Sequence, residues 1–313
     1  MNGIQFAALF PGQGSQSVGM LDELAAAHPL IEKIFAQASQ YLNYDLWDLV
    51  QRDPDQKLNL TQYTQLAMLV AGVSTYQLWC RSGGSAPKIA AGHSLGEYSA
   101  LVCAQALEFA DAVELVSHRG RLMQETTPAD QGAMAAIIGL DEATVAEICI
   151  EAAEGDIIAP ANFNAIGQIV VAGQVAAVDR AIVLAEAKGV RMAKKLPVSA
   201  PCHCEMLEPA AKEFAHYLEK TPFKVPQFAV ISNVDVVLHR HPDDIRASLV
   251  KQLYNPVRWL ETIQQMVAQD IEVMIEYGPG RVLTGLNKRI DRKIKSFSVH
   301  DSQNLQQALA QSK

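Results

Sequence analysis

Residues 88–97 read KIAAGHSLGE, a short apolar run followed by a serine that has a glycine two positions to either side. The apolar run predicts a buried strand over Lys88–Ala91, and the residues from Glu97 onward predict a helix. A G-x-S-x-G turn between a strand and a helix is typical of a nucleophile elbow. The pattern therefore predicts that Ser94 projects from a strained turn at a helix N-terminus, where free N–H groups favour a developing oxyanion.

The rest of the chain repeats this alternation of strand and helix. A buried strand is predicted over Ile4–Phe10, before a glycine-rich loop at 11–15, and a second pair of strands over Gln227–Ser232 and Glu272–Glu276. Such alternation predicts a parallel sheet covered by helices on both faces. The predicted helices are Pro29–Leu42, Gln62–Trp79, Glu97–Leu107, Phe109–Glu125, one near Cys204–Glu219, one from Arg281, and a helical tail at Leu305–Leu309.

The middle of the chain has a different order of elements. Strands are predicted over 132–140, 157–164, 168–173 and 190–198, and helices over 142–153 and 175–188. The order β-α-β-β-α-β is that of a split βαβ, ferredoxin-like unit. We therefore predict an α/β fold with a core of residues 1–127 and 199–313 and an inserted subdomain of residues 128–198.

Composition limits the classes of partner and the compartment. The 313 residues are 49% hydrophobic and 19% charged, as in a folded chain, and 26 basic against 34 acidic residues give a net charge of −8. This balance argues against nucleic acid or an anionic membrane as the main partner. Five cysteines without a C-x-x-C pair, and no Lys or Arg before Lys33, favour a reducing cytoplasm and no leader peptide. The longest apolar stretch, Gly132–Leu140, is too short to span a bilayer.

A serine nucleophile needs a base, and the eight histidines offer several candidates. His203 lies in a loop that returns from the inserted unit to the main sheet. His300 is an alternative, and with Asp291 it would suit a serine hydrolase. His93 adjoins Ser94, but its side chain is expected to point elsewhere. The run Cys202-His203-Cys204 is not expected to hold a metal, since neighbouring residues seldom converge on one ion.

Two further features are candidates for binding. The loop GQGSQS at 12–17 lacks the third glycine of a dinucleotide-binding motif. We expect it instead to donate backbone N–H groups to an oxyanion, and Gln13 is well placed to do so. An ordinary tight turn is the alternative interpretation. Arg119 lies in a mostly apolar helix, where it would either bind a substrate carboxylate in the serine pocket or face solvent. Arg121 is an equally plausible surface residue.

Four separated segments together resemble one family. They are FPGQGSQ at 10–16, GHSLGE at 92–97, Arg119 with Gly120, and SAPCH at 199–203. QLYNPVRW at 252–259 and EYGPG at 276–280 agree as well. In this order the segments are similar to those of the malonyl-CoA:acyl carrier protein transacylases, over about residues 4–290. The likeness is greatest to the stand-alone bacterial enzymes of fatty acid synthesis.

The resemblance implies an α/β-hydrolase-like core with an inserted ferredoxin-like subdomain. It implies that malonyl passes from coenzyme A to the phosphopantetheine thiol of acyl carrier protein through an ester on Ser94, with no metal and no bound cofactor. His203 would be the base, oriented by a backbone carbonyl at Gln252, and Arg119 would bind the malonyl carboxylate. The other implied residues are Gln13 and Leu95 as oxyanion donors and Asn162 as a pocket candidate.

Acyl carrier proteins are acidic, so an enzyme of net charge −8 needs a local basic surface to bind one. Lys288, Arg289 and Arg292, with Lys293 and Lys295, form the densest basic run, and a solvated helix face is the alternative interpretation. Arg191, Lys194 and Lys195 form another run. We expect a monomer. The rival functions are a serine esterase or thioesterase on the same core and a catalytically silent scaffold.

One position departs from the family pattern. Cys202 precedes the histidine, where many relatives carry Phe or Ser, and it is expected to shape the pocket near the acyl carbon. This residue bears on whether methylmalonyl is excluded.

Overall fold

The computed structural model describes residues 5–128, 130–198 and 200–311, and this part of the chain forms two separate sheets. Ile4 and Ser199, which belong to predicted segments, lie outside the described residues. The strands are β1 Phe6–Phe10, β2 Ile89–Gly92, β3 Gly132–Ile138, β4 Ile158–Ala165, β5 Gln168–Gln174, β6 Met192–Lys195, β7 Ala229–Ile231, β8 Val273–Tyr277 and β9 Lys295–Val299.

The helices alternate with these strands through most of the chain. They are α1 Asp22–Ala27, α2 Leu30–Ser39, α3 Leu46–Arg52, α4 Thr61–Arg81, α5 Gly96–Cys103, α6 Phe109–Thr126, α7 Glu142–Ala153, α8 Val175–Ala187, a 3₁₀ turn at Glu205–Leu207, α9 Glu208–Lys220, α10 Pro242–Gln252, α11 Trp259–Ala268, α12 Val282–Ile290 and α13 Ser302–Gln311. Within the described ranges, no helix has the length and hydropathy that crossing a bilayer requires.

The larger sheet has the strand order β7-β2-β1-β8-β9, and all its neighbouring strands are parallel. All five residues of its central strand β1 are buried. Successive side chains of a strand point to opposite faces, so β1 contributes to the hydrophobic core on both sides of the sheet. Phe6, Ala8 and Phe10 join the larger hydrophobic cluster, while Ala7 and Leu9 join the cluster on the other face. This arrangement confirms the predicted parallel core.

The smaller sheet is antiparallel and has the order β4-β5-β3-β6, which is the order of a ferredoxin-like unit. One face packs beneath α7 and α8, and Met134 on the other face joins the main core cluster. Two backbone hydrogen bonds of 2.9 Å join it to the core, from Phe163 N–H to the Val257 carbonyl and from Val257 N–H to the Ala161 carbonyl. The two sheets confirm the predicted fold class, and the subdomain boundaries at 128 and 198 stay a prediction.

Several predicted segments differ from the structure. The helix expected near Cys204–Glu219 begins at Glu208, because Cys204 is extended and Glu205–Leu207 form a 3₁₀ turn. Pro209 in the first turn of α9 suits this later start. The edge strand β9 was not predicted, since its sequence KSFSV lacks the continuous apolar run of the inner strands.

Two strands, the loop after β1 and a helix meet closely around the elbow, and glycine makes this approach possible. A Cβ added at Gly92 would lie 1.8 Å from the Gly96 carbonyl carbon, and one at Gly96 would lie 2.0 Å from the Phe10 carbonyl oxygen. A Cβ at Gly12 would lie 2.4 Å from the His93 carbonyl oxygen. The backbone atoms cannot yield as a side chain can, so these positions accept glycine alone.

Replacing Gly96 by Ala should therefore lower the free energy of unfolding by about 3 kcal/mol or more, since overpacking against backbone forces the strand and helix apart. Gly285→Ala is the matched control, because nothing lies within 4 Å of an added Cβ at that position in α12. The control should raise stability by up to about 1 kcal/mol. Urea unfolding measures the change in the free energy of unfolding of each variant. Equal changes in the two variants would contradict the packing argument.

Candidate active site

Ser94 lies between β2 and α5 in a left-handed backbone conformation, with φ of +51°. Such a conformation costs a non-glycine residue about 1–3 kcal/mol and persists only when the surroundings hold it. Its N–H donates to Asn233 Oδ1 at 2.6 Å, and the Gly96 N–H closes the turn on the His93 carbonyl at 2.9 Å. The strained elbow predicted from the sequence is present, and it points the serine side chain into a cavity.

His203 approaches Ser94 from the loop after β6. Its Nε2 lies 2.7 Å from Ser94 Oγ, and its Nδ1 lies 2.7 Å from the backbone carbonyl oxygen of Gln252. A carbonyl oxygen can only accept a hydrogen bond, so Nδ1 carries the proton and Nε2 presents a lone pair to the serine. This is the tautomer that a general base requires.

Burial keeps the imidazole of His203 neutral. The side chain is only 3% exposed, and desolvation, followed by the positive charge of Arg119, lowers its pKa from 6.5 to about 3. The neutral carbonyl partner at Nδ1 offsets this lowering of the His203 pKa less than a carboxylate would. His203 is therefore ready to accept a proton at neutral pH and returns it readily.

Arg119 on α6 is 1% exposed and lies beside the serine. Its Nη1 donates to Gln65 Oε1 at 2.6 Å, and its Nη2 donates to Gln252 Oε1 at 2.9 Å and to Ser94 Oγ at 3.3 Å. All these acceptors are neutral, and Nε has no hydrogen-bond partner in the described part of the chain. A buried cation without a direct counter-ion creates a site for an anionic group.

A cavity of about 90 Å³ joins these groups, and Gln13, Leu95 and Asn162 line it together with Ser94, Arg119 and His203. Gln13 comes from the loop after β1, whose Gly12 packs on the elbow, and its Nε2 lies 3.4 Å from Thr61 Oγ1. The small sheet supplies Asn162 from β4. Met123, Met134, Leu196, Val198 and Cys202 make the remaining wall largely apolar.

The alternative base proposed from the sequence lies elsewhere. His300 Nδ1 is 2.9 Å from Ser298 Oγ, and its Nε2 is 3.2 Å from Asp301, while Ser94 Oγ contacts His203. Asp291 instead accepts from the Lys293 N–H. The Asp291–His300 pair expected of a hydrolase is therefore wrong. His93 does point away from the serine, and its Nε2 lies 2.7 Å from Asn164 Oδ1 on β4.

Three residues in contact with the site were not singled out from the sequence. Gln65 is a polar residue directly before the apolar run 66–73 of α4 and is buried with it, and its place beside that run is the signal that could have marked it. Asn233 comes just after β7, at the carboxyl end of the strand beside β2, where ligands collect in parallel sheets. Glu97 was quoted in the elbow motif, but an acidic residue in a first helical turn is ordinarily explained by the helix dipole.

Glu97 is a buried carboxyl group behind the serine, 4% exposed. Its Oε2 accepts from Gln252 Nε2 at 2.6 Å and from the Asn233 N–H at 3.1 Å. Desolvation raises its pKa from 4.5 to about 7, against the opposing effects of these hydrogen bonds and of Arg119. The carboxyl group and the guanidinium are linked through the Gln252 amide.

Comparison with known proteins places the chain among acyltransferases. Residues 8–303 match the family described as acyl transferase domain. The malonyl CoA-acyl carrier protein transacylase of Escherichia coli strain K12 is 51% identical over 305 residues, covering 97% of this chain and 99% of that protein. The Bacillus subtilis enzyme of the same name is 39% identical over 306 residues, covering 97% of this chain and 96% of that protein.

Solved structures agree in fold. The malonyl CoA-acyl carrier protein transacylase of Coxiella burnetii has a TM-score of 0.97 at 47% identity, covering 99% of this chain and 98% of that one. A malonyl-transacylase in complex with the holo form of a type II PKS acyl-carrier protein has a TM-score of 0.96 at 50% identity, covering 98% and 99%.

The lowered pKa of His203 gives a pH prediction. In a Glu97→Gln variant, which removes the carboxyl group whose pKa burial raises to about 7, acylation of Ser94 should stay constant between about pH 5 and pH 8. His203 stays in its neutral form throughout that interval. Single-turnover acylation measured across the interval checks this, and a loss of rate with a midpoint at the ordinary histidine pKa of 6.5 would contradict it.

Folding must be checked at the acidic end. The unfolded chain protonates this histidine at 6.5, whereas the folded chain does so only at about 3, so stability falls as pH drops below 6.5. Circular dichroism at each pH separates that effect from a loss of the base.

Proposed function

Because the chain belongs to the acyl transferase family and, within it, to the malonyl CoA-acyl carrier protein transacylases, we propose that it moves malonyl from coenzyme A to an acyl carrier protein through a malonyl ester on Ser94. The acceptor is the phosphopantetheine thiol of the carrier, and the product supplies malonyl units for fatty acid elongation. The protein binds no further cofactor in this proposal.

In the first half-reaction, Ser94 Oγ attacks the thioester carbon while His203 Nε2 takes the hydroxyl proton. The C–O bond forms, the carbonyl electrons become an oxyanion, and collapse of this intermediate breaks the C–S bond. His203 then returns its proton to the coenzyme A thiolate. The oxyanion would receive N–H groups from Leu95, at the start of α5, and from Gln13.

In the second half-reaction, the carrier thiol gives its proton to His203 and attacks the malonyl ester. Collapse releases malonyl-carrier and returns the proton to Ser94. Water must be kept from the ester between the two steps. The apolar wall of Met123, Met134 and Leu196 supports that requirement, and the two steps predict ping-pong kinetics.

One observation carries the choice of substrate, namely the buried Arg119 whose partners are all neutral. A malonyl carboxylate would pair with this guanidinium, while an acetyl group would leave the charge unpaired in a desolvated site. The geometry also favours a transferase over an esterase that depends on His300, since His203 occupies the position of the base. Asn162 is assigned to the malonyl pocket, and Cys202 to its wall.

The Arg119 assignment predicts a loss of malonyl loading in Arg119→Ala. The variant should form the malonyl ester at least about 100-fold more slowly than the wild type, as expected from removing one partner of a buried charge pair. Arg121→Ala is the matched control, because Arg121 lies on the same helix and pairs at the surface with Glu125. Intact-protein mass after brief exposure to malonyl-CoA, acetyl-CoA and methylmalonyl-CoA measures the adduct.

The wild-type adduct should be malonyl, should disappear in Ser94→Ala, and should be discharged when holo carrier protein is added. Free coenzyme A that accumulates without an adduct and without carrier would mean a hydrolase. Equal rates of malonyl loading in the Arg119 and Arg121 variants would contradict the assignment of Arg119 to the malonyl carboxylate. A methylmalonyl adduct formed as fast as malonyl would show that Cys202 leaves room for the extra methyl group.

We also propose that Lys288, Arg289 and Arg292 help to bind the acidic carrier. All three are exposed, at and just after the end of α12. This helix contacts β4, the strand that supplies Asn162 to the cavity, and Arg289 Nη1 donates to Gln168 at the start of β5. The basic run therefore lies on elements that adjoin the cavity wall.

Reversing the charge of Lys288 and Arg289 to Glu should raise the KM for carrier several-fold, because complementary charge speeds encounter. Malonyl loading from coenzyme A should change little. The matched control reverses Arg191 and Lys194, the exposed basic run on the small sheet, which alters the net charge equally. Steady-state rates against carrier concentration measure the effect, and an unchanged KM, or the same rise in the control pair, would refute the docking assignment.

We place the enzyme in the cytoplasm as a monomer. Five free cysteines favour a reducing compartment. One chain also contributes all the groups assigned to the reaction, so the chemistry requires no second copy.

A further inference from the structure

Asn233 holds the backbone of the elbow on both sides of the serine. Its side-chain Oδ1 accepts from the Ser94 N–H at 2.6 Å, and its Nδ2 donates to the Gly92 carbonyl at 2.6 Å. The residue is fully buried and follows β7, which pairs with β2. One amide thus fixes the strand end and the nucleophile together.

Glu97 connects this amide to the rest of the site. Its Oε2 accepts from the Asn233 N–H and from Gln252 Nε2, and the same Nε2 also donates to the Ser94 carbonyl at 3.1 Å. Gln252 Oε1 accepts from Arg119 Nη2 at 2.9 Å. A continuous chain of hydrogen bonds therefore runs from Asn233 through Glu97 and Gln252 to Arg119.

We propose that Asn233 and Glu97 are positioning residues: Asn233 holds the backbone of the Ser94 nucleophile, and Glu97, through Gln252, sets the distance between Ser94 and the guanidinium of Arg119. Asn233 acts on the elbow backbone, and Glu97 acts through the Gln252 amide on both the elbow and the guanidinium. The inference rests on the proposed function, since the distance matters only when one acyl group must reach Ser94 and Arg119 at once.

The physical reason is that these residues complete the polar contacts of both reacting groups. The Gly96 and Glu97 N–H groups close the turn on the His93 and Ser94 carbonyls, and the amides of Asn233 and Gln252 bind the Ser94 N–H and carbonyl from the side. Arg119 has neutral acceptors on two of its nitrogens, so its orientation depends on where the Gln252 and Gln65 amides point. Glu97 fixes the Gln252 amide with its oxygen towards Arg119, because a carboxylate accepts only from the Nε2 side.

The test compares two reactions of the same serine. Malonyl loading from malonyl-CoA requires Ser94 and Arg119, whereas phosphonylation by a neutral fluorophosphonate requires only an activated Ser94. Asn233→Ala should lower the maximum rates of both by about 10-fold to 100-fold, the expected effect of two lost hydrogen bonds. The malonyl-CoA concentration at half-maximal rate should change by less than about threefold, because the carboxylate site remains.

Asn287→Ala is the matched control. Asn287 is also fully buried, and its side chain bonds to Trp259 and Met274 on α11 and β8, so it reaches the elbow indirectly, through the packing of Trp259 on His93. It should lower the melting temperature by a similar amount and leave both rates near those of the wild type. If Asn233→Ala does not fold, Asn233→Asp applies the same test, since it keeps the acceptor for Ser94 N–H and places an oxygen against the Gly92 carbonyl.

Glu97 is tested by a pair of variants. Glu97→Ala removes the acceptor for the Gln252 amide and should slow malonyl loading by about 10-fold or more, with a smaller effect on phosphonylation. Glu97→Gln keeps an amide oxygen that accepts from the same two donors, and it should restore malonyl loading to within about threefold of the wild type.

The outcomes separate this inference from the proposed function. A wild-type protein that forms no malonyl ester refutes the function itself, whatever the variants do. If the wild type loads normally, the inference fails when Asn233→Ala and Asn287→Ala slow phosphonylation equally, or when Asn233→Ala keeps the wild-type rates. It fails equally if Glu97→Gln is as slow as Glu97→Ala, since the carboxylate would then act by charge and not by position.

Discussion

The close approach of β1, β2 and α5 at the elbow is the constraint on which the rest of the site depends. Gly92 and Gly96 lack the Cβ atoms that would collide with neighbouring backbone, so Ser94 can sit at the junction in a left-handed turn. The turn directs the hydroxyl to His203, and the next residue, Leu95, lines the same cavity. Without that close approach, the end of β2 and the start of α5 would be too far apart for Ser94 to form the turn between them.

Charge is distributed unusually around this turn. Arg119 is buried against neutral amides, and the carboxyl group of Glu97 is held one amide away from it. A direct ion pair would neutralise the guanidinium and close the anion site, whereas complete separation would make the buried charge more costly. The Gln252 amide between them leaves a positive group facing the cavity. The same charge, with burial, keeps His203 in its basic, neutral form.

The small antiparallel sheet contributes residues to the site as well as packing against the core. Its strand β4 binds the core backbone at Val257, supplies Asn162 to the cavity and holds His93 through Asn164. Met134, Leu196 and Val198, on and after its strands, add apolar surface opposite the serine. A transferase needs such a cover, because its ester must meet a thiol before it meets water.

The elements with a local sequence signal could be predicted before the fold was known. The G-x-S-x-G turn, the apolar strands and the β-α-β-β-α-β order depend on neighbours in the chain, so Ser94, the parallel core and the antiparallel sheet were all predictable. Arg119 and His203 could be named from their surroundings and from the family resemblance, although His300 remained a rival base. The contact of His203 with the serine, and the meeting of Gln65, Glu97 and Asn233 beside it, depend on how distant parts of the chain pack. Their partners lie from 54 to 155 positions away in the chain, and no local pattern encodes contacts at that range.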